Sequence, residues 1–335
     1  MKRLKDSFDR TINYMRISIT DRCNLRCIYC MPAEGLIPIE HKEILSYEEI
    51  LRILRVAVNL GLRKIRITGG EPLVRKNVTY LIASIKKIAG IEDLSLTTNG
   101  VLLEQFAEGL INAGIDRVNI SLDSLRPDRY REITRGGDID TVLNGIEAAE
   151  RAGLSPIKIN MVPIRRLNDD EIEEFAKITM KAPYQVRFIE FMPFGTDTWS
   201  QDKFISADEI KSIVENIGPL TPVNMKKSGP ARYFKFDGAV GVIGFISPLS
   251  NHFCMECNRL RLTADGKLRP CLFSETEIDL KPALRSGAPD EEIERLIKLS
   301  IEAKPEGHTI PQDTHFRKQI KNKKVYRRPM SKIGG

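Results

Sequence analysis

The sequence predicts an α/β protein, a partial (βα)6 barrel of the TIM type followed by a smaller α+β unit, and three observations carry that prediction. Between residues 14 and 216 a short β-rich run, a turn and a segment of helical periodicity recur six times. The carboxyl end of each β-run is followed by chemically unusual residues, which is the way a barrel builds a site. After residue 218 the pattern changes to β-type segments punctuated by Pro and Gly.

The β-runs are YMRISIT (14–20), KIRIT (64–68), LSLTT (94–98), RVNISL (117–122), IKINMV (157–162) and VRFIEFM (186–192). They are close to continuously apolar, which indicates a parallel sheet covered by helices. The clearest helix spans 46–60, where Ser46 and Glu49 form an S-x-x-E capping box and Gly61 supplies the stop. Others are expected at 78–89, 103–113, 141–152 and 169–181. Alternation alone fits an open doubly wound sheet as well as a barrel. The strand-end residues favour the barrel: a cysteine cluster, GGEP (69–72), TTNG (97–100), SLD (121–123), Lys158 with Asn160, and Phe191-Met192. Six units rather than eight leave such a barrel laterally open, with room for a large ligand.

Residues 1–217 and 218–335 are the two expected units. In the second, β-type segments at 233–236 and 240–245 precede a hairpin over 259–273 that turns at Asp265-Gly266 and returns Cys271 towards Cys254 and Cys257. A helix is expected at 290–303. The last stretch carries seven basic residues between Arg317 and Arg328.

Of 335 residues, 41% are hydrophobic and 29% charged, which describes a soluble globular protein with ample core material. The amino terminus lacks an apolar signal region, and the longest apolar run (238–246) is too short to span a bilayer. A cytoplasmic location without membrane attachment is the expectation. The net charge of +7 favours acidic ligands such as nucleotides. The basic tail has no interleaved aromatics beyond Tyr326, so it is not read as a nucleic-acid-binding arm.

The six cysteines fall into two sets of three, Cys23, Cys27 and Cys30 (C-x3-C-x2-C) and Cys254, Cys257 and Cys271 (C-x2-C-x13-C). In a reducing compartment this grouping argues for metal or cofactor ligation rather than disulfides. Closed zinc sites need four ligands. His252 could complete the second set and His41 the first. The alternative is a four-iron cluster on three thiolates, which leaves one iron open to a non-protein ligand.

C-x3-C-x2-C with Tyr29 before its last cysteine, followed by GGEP after the second strand, resembles the radical S-adenosylmethionine superfamily. The runs MRISITDRCNLRCIYCMP, KIRITGGEPLVR, LTTNG, VNISLDSL, VRFIEFMP, FCMECNRLRLTADGKLRPCLF and the terminal IGG together resemble the GTP 3',8-cyclase family of molybdenum cofactor biosynthesis. The resemblance implies two [4Fe-4S] clusters, one on each cysteine set, with the second carried by the C-terminal unit. It implies contacts to S-adenosylmethionine from Tyr29, Gly70, Ser121 and Met192. For GTP it implies Arg16, Arg66, Thr97, Lys158, Arg259, Leu260 and Arg261. Alternation along the strand puts the guanidinium groups of Arg259 and Arg261 on one face and Leu260 on the other, packing inward. The reaction implied is abstraction of hydrogen from C3' of GTP by a 5'-deoxyadenosyl radical, attack of the sugar radical on C8, and reduction to 3',8-cyclo-7,8-dihydroguanosine triphosphate. No general acid or base is prominent, which suits hydrogen-atom chemistry.

Independently of the resemblance, charges inside the apolar runs at Arg16 and Arg66 are costly unless a ligand or a buried glutamate pairs with them. The family's Gly334-Gly335 tail is expected to reach the active site, although a terminal Gly-Gly is by itself only a flexible end. Expected partners are GTP, an electron donor, a downstream cyclic pyranopterin monophosphate synthase and a second copy in a homodimer. Two rival readings remain at this point: a peptide-modifying radical S-adenosylmethionine enzyme with an auxiliary cluster, and a zinc-containing nucleic-acid-binding protein.

Overall fold

The computed structural model of this protein describes residues 4–194, 198–225, 229–308 and 328–334. Strands β1 (Tyr14–Ser18), β2 (Lys64–Thr68), β3 (Asp93–Thr98), β4 (Arg117–Ser121), β5 (Ile157–Met161) and β6 (Gln185–Ile189) pair in parallel in chain order. All six anticipated strands are present, each within a few residues of its expected ends. Helices α1 (Tyr47–Asn59), α2 (Val78–Lys86), α3 (Leu103–Asn112), α4 (Pro127–Thr134), α5 (Ile139–Arg151), α6 (Ile172–Lys181) and α7 (Ala207–Glu215) connect or follow them.

Local chemistry explains their limits. Ser46 accepts from the Glu49 amide at 3.2 Å while the Glu49 carboxylate accepts from the Ser46 amide at 2.7 Å, so the capping box of α1 is closed in both directions. Gly61, at φ +114°, turns the chain out of that helix. The segment expected as one helix from 169 to 181 begins as a 3-10 turn (Asp169–Glu171) before α6. Helix α4 was not anticipated, and α7 is the helix of the sixth unit, for which no bounds were expected. α4 is eight residues long and buries only Tyr130, Ile133 and Thr134, too little apolar surface to leave a clear period.

Parity along the strands sorts the side chains. Met15, Ile17, Ile65, Ile67, Leu94 and Leu96 are fully buried in one continuous core against the helices. Their neighbours Arg16, Lys64, Arg66 and Thr97 take the other face and line a cavity. An apolar layer fills the interior of an ordinary barrel of this kind, whereas here polar and charged groups occupy it.

Beyond residue 218 come β7 (Leu220–Val223), β8 (Arg232–Phe236), β9 (Val242–Ile246), β10 (Arg259–Leu262), β11 (Lys267–Arg269), β12 (Ile278–Asp279), α8 (Lys281–Arg285), α9 (Asp290–Glu302) and α10 (Met330–Ile333). Their strands continue the barrel sheet at both edges, giving the order β12-β11-β10-β1-β2-β3-β4-β5-β6-β9-β8-β7. β9 lies parallel to β6 and β10 parallel to β1, so the expected boundary at 217/218 falls between α7 and β7 without a break in the sheet. The hairpin turns at Gly266 (φ +86°) as anticipated, pairing β10 with β11. Among the described residues no helix is long and apolar enough to cross a membrane.

Candidate active site

The loop after β1 carries the first cysteine set, and the loop after β2 holds it in place. Gly70 N donates to the Thr20 carbonyl at 2.7 Å and Glu71 N to the Arg22 carbonyl at 2.8 Å. Glu71 is fully buried. Its carboxylate accepts from Leu73 N (3.0 Å), Thr98 Oγ1 (2.8 Å) and Asn99 N (2.7 Å), so it ties the second strand end to the third. Burial pushes its pKa up to about 7, partly countered by those donors. Asn99 in turn reaches the Cys23 sulfur at 3.7 Å, and Leu25 N donates to the same sulfur at 3.4 Å.

All six cysteines are free. Burial, and then the neighbouring thiols of the set, push Cys27 and Cys30 up. Cys257 goes the other way, to about 6: burial raises it, but Arg259 and Lys304 beside it outweigh that. Among the described residues no three His, Cys, Asp or Glu side chains converge as a single metal ion would require. Thiols that act on one another without meeting at a point suit the corners of an iron-sulfur cube, and N–H donors aimed at Cys23 and Cys257 suit sulfurs carrying negative charge. The donor sets therefore fit two clusters. Of the histidines weighed as fourth zinc ligands, His41 sits in an exposed 3-10 turn (His41–Glu43), while His252 lines the cavity with its ring 5.1 Å from that of His308.

Both cysteine sets open onto the same cavity. Between them the strands present arginines in register: Arg261 on β10 pairs with Arg16 on β1, and Arg16 with Arg66 on β2. Three guanidinium groups thus stand side by side across adjacent strands. The buried Nε atoms of Arg16 and Arg66 have no hydrogen-bond partner, and neither residue is in an ion pair among the described residues, unlike Arg117, which pairs with Asp93. The glutamate partner weighed above is therefore not there. Tyr14 supplies a ring 6.0 Å from the Arg16 guanidinium and 5.6 Å from that of Arg66. Burial, and then Arg261, hold the Arg16 pKa well below the ordinary arginine value, and burial followed by Arg259 brings Arg261 to about 9. Such a row of like charges is a cost to the ligand-free protein that an anion against it would offset.

Lys158 on β5 and Arg187 on β6 continue the basic wall. Burial, and then Arg187, lower Lys158 to about 6, and burial lowers Arg187 to about 10. Room for Arg187 comes from Gly244, its register partner on β9, where a Cβ would lie 3.0 Å from the Arg187 side chain. The Thr97 hydroxyl and the Asn160 carbonyl oxygen are also buried without partners.

At the end nearer the first cysteine set, Tyr29, Gly70, Ser121 and Met192 all line the cavity. Tyr29 donates a short hydrogen bond to Asp123 and packs edge-on to Phe191 at 6.4 Å. Thr97, Lys158, Arg259 and Arg261 share the cavity too. Leu260 packs inward as strand alternation predicts: it is 1% exposed, in the core, with its side chain turned away from the cavity, which leaves only its backbone for a GTP contact. Gly334 (φ +81°) lies against Thr68 and Ser18, and its carbonyl accepts from Arg261 Nη1 at 2.5 Å. Arg328 anchors this tail to Glu277 (2.7 Å) and to Asp265. Gly335 lies outside the described residues.

Tyr14, Lys64, Arg117, Arg187 and Lys304 are cavity residues that sequence reasoning missed. Arg187 carried a readable signal, since a charge in VRFIEFM is the same anomaly as Arg16 in YMRISIT. Lys64 stands two residues before Arg66 and shares its face.

Residues 17–178 match the Radical SAM superfamily and residues 184–310 match the family described as Molybdenum Cofactor Synthesis C. A GTP 3',8-cyclase of Thermodesulfovibrio yellowstonii is 57% identical over 99% of this chain and 100% of its own length. GTP 3',8-cyclases of Alkaliphilus oremlandii and Moorella thermoacetica are 51% and 50% identical, each over 99% of this chain and 100% of the relative. A crystal structure of Streptococcus suis SuiB bound to S-adenosylmethionine superposes with a TM-score of 0.62 at 16% identity, covering 89% of this chain and 73% of that one, a likeness of fold alone.

Proposed function

The chain belongs to the GTP 3',8-cyclase family of radical S-adenosylmethionine enzymes, and on that premise we propose that its cavity holds S-adenosylmethionine at the Cys23, Cys27 and Cys30 end and GTP between the arginine row and the second cysteine set. The reaction is the conversion of GTP to (8S)-3',8-cyclo-7,8-dihydroguanosine 5'-triphosphate in molybdenum cofactor biosynthesis, with two [4Fe-4S] clusters as cofactors. When bound, the clusters supply an electron for cleaving S-adenosylmethionine to the 5'-deoxyadenosyl radical that takes hydrogen from C3' of GTP, and an open iron for the guanine. The observation that carries the reading is the in-register row Arg261, Arg16 and Arg66, in which Arg16 and Arg66 have no ion pair among the described residues and all three line a cavity shared by both cysteine sets.

The chain's own residues bind, orient and exclude. Guanidinium forks suit a triphosphate because they stay charged and donate in fixed geometry. Tyr29, Phe191 and Met192 make an apolar wall suited to the adenosine face and to keeping water from a reactive radical. The buried carboxylates Glu71 and Asp123 are occupied by hydrogen bonds that tie strand ends together, so neither is assigned a role as acid or base. A peptide-modifying role would give the arginine row no anion. The tail reaches the arginine row, where the Gly334 carbonyl accepts from Arg261. An electron donor acts from outside the chain, a cyclic pyranopterin monophosphate synthase consumes the product, and we assign the protein to the cytoplasm as a homodimer. The segments 1–217 and 218–335 divide the work between cosubstrate and auxiliary cluster.

Lys158 gives the binding a pH dependence of definite sign. In the empty cavity its ammonium is half-protonated near pH 6, and a triphosphate beside it would return the pKa towards the ordinary lysine range. GTP binding at pH 8 should therefore take up a proton, and affinity should fall as pH rises between the two values. Calorimetry in buffers of different ionisation enthalpy measures this. Lys158→Met should lose the uptake, and an unchanged uptake in that variant would remove Lys158 from the account.

The reading as a whole is tested by anaerobic purification with iron and sulfide analysis, followed by incubation of the reduced protein with GTP and S-adenosylmethionine. Formation of 5'-deoxyadenosine and a cyclised guanosine triphosphate is expected. Cosubstrate cleavage without nucleotide consumption would point to a different radical enzyme, and zinc without sulfide would overturn the cluster assignment.

A further inference from the structure

Lys304 is the one cavity cation discussed above whose donors are all spent. It is 4% exposed, just beyond the end of α9, and its Nζ donates to the Pro270 carbonyl at 2.7 Å, the Arg259 carbonyl at 3.0 Å and the Cys257 sulfur at 3.5 Å. An ammonium has three N–H groups, so none is left for a substrate phosphate. Arg16 and Arg66 are the opposite case, with buried Nε–H groups unpartnered. Among the described residues Lys304 has no carboxylate in an ion pair. The groups that favour its charge are the sulfurs of Cys257 and Cys271. A buried lysine without a counter-ion is costly, and here the counter-ion is sulfur.

Its position is held from behind. Arg10 donates to the carbonyls of Pro305 (2.6 Å), Glu306 (2.7 Å) and Cys254 (2.8 Å), and its Nε pairs with Asp6 at 2.6 Å. The chain after α9 is thereby fastened to the segment that carries the first cysteine of the second set, while Lys304 bridges Cys257 to the residue preceding Cys271.

We propose that Lys304 sets the reduction potential of the second cluster, by placing a hydrogen-bonded positive charge on the Cys257 sulfur. The proposal rests on the reading that the second cysteine set holds a cluster. A cation donating to a ligating sulfur favours the more negative, reduced state and so raises the potential. Lys304 is on this account a positioning and tuning residue that does not touch GTP.

The experiment uses the full-length chain with Cys23→Ser, Cys27→Ser and Cys30→Ser, so that only the second cluster is titrated, reconstituted anaerobically and followed by EPR against solution potential. Lys304→Met and Lys304→Gln should shift the midpoint to lower potential at full iron content, while Lys304→Arg should stay close to the parent. If Lys304→Met does not retain iron, the comparison of the Gln and Arg variants decides. An unmoved midpoint in the neutral variants overturns the proposal, as does an equal shift in the Arg variant, which would mark Lys304 as a staple between carbonyls. Absence of iron and sulfide from the parent would instead overturn the cluster reading on which the proposal rests.

Discussion

Replacing Arg16 with methionine should raise the melting temperature of the ligand-free protein and, in the same variant, weaken GTP binding by about thirtyfold or more. Both effects follow from the row of cations. Arg16 stands between Arg261 and Arg66 in direct register, with its Nε buried and unpartnered, and burial together with Arg261 holds its pKa well below the ordinary value. Without an anion the row is a stored cost, and a methionine of similar length removes one charge from its centre while filling the space. A gain of ~1 kcal/mol would appear as a rise of about 2 °C in a chain of this size. With GTP present the balance reverses, because truncating a buried, hydrogen-bonded charge costs roughly 2–5 kcal/mol of binding. Anaerobic thermal melts with and without GTP, alongside equilibrium binding, read both quantities. A lower melting point in the ligand-free variant would make Arg16 a structural strut and remove the argument for an anion.

The second large effect concerns Gly70. Gly70→Ala should lower cleavage of S-adenosylmethionine by at least about a hundredfold and reduce iron at the first cysteine set, with the second set still loaded. A Cβ at this position would collide with the Arg22 carbonyl and lie 2.7 Å from the Asp21 carbonyl oxygen, both backbone atoms of the loop that leads to Cys23. That loop is tied to Gly70 by the Thr20 carbonyl and to Glu71 by the Arg22 carbonyl, so the methyl can be admitted only by prising two strand ends apart. Overpacking costs ~1–3 kcal/mol even where side chains can yield, and here no side chain is available to do so. Gly109→Ala is the control. It lies in α3, its Cβ would meet only Thr79 at 3.4 Å, and it should leave iron content and activity unchanged. Cosubstrate cleavage at the parent rate in Gly70→Ala would show that the close approach is dispensable.

The barrel and both cysteine sets were legible in the sequence because their signals are local. Strand runs repeat, Ser46 and Glu49 sit three apart, and Arg16 and Arg66 break apolar runs in a way that burial penalises. Arg187 broke its run in the same way and went unread, since no turn or motif beside it drew attention. What the sequence could not carry is pairing between distant segments. Nothing local to 242–246 or 259–262 tells that these strands lie parallel to β6 and β1 and close the cavity on either side. Lys304 is the extreme case: its three hydrogen bonds all go to residues 34 to 47 positions away. Leu260 shows the converse, a residue inside a recognisable motif whose side chain strand parity sends to the core.

The central claim is that one cavity brings C3' of GTP to the 5' carbon of the cosubstrate. Incubating the reduced protein with S-adenosylmethionine and GTP deuterated at C3', then analysing the 5'-deoxyadenosine by mass spectrometry, tests it most directly. Deuterium in the 5'-deoxyadenosine, with formation of the cyclised nucleotide, is the predicted result. Unlabelled 5'-deoxyadenosine formed while GTP keeps its deuterium would contradict the account.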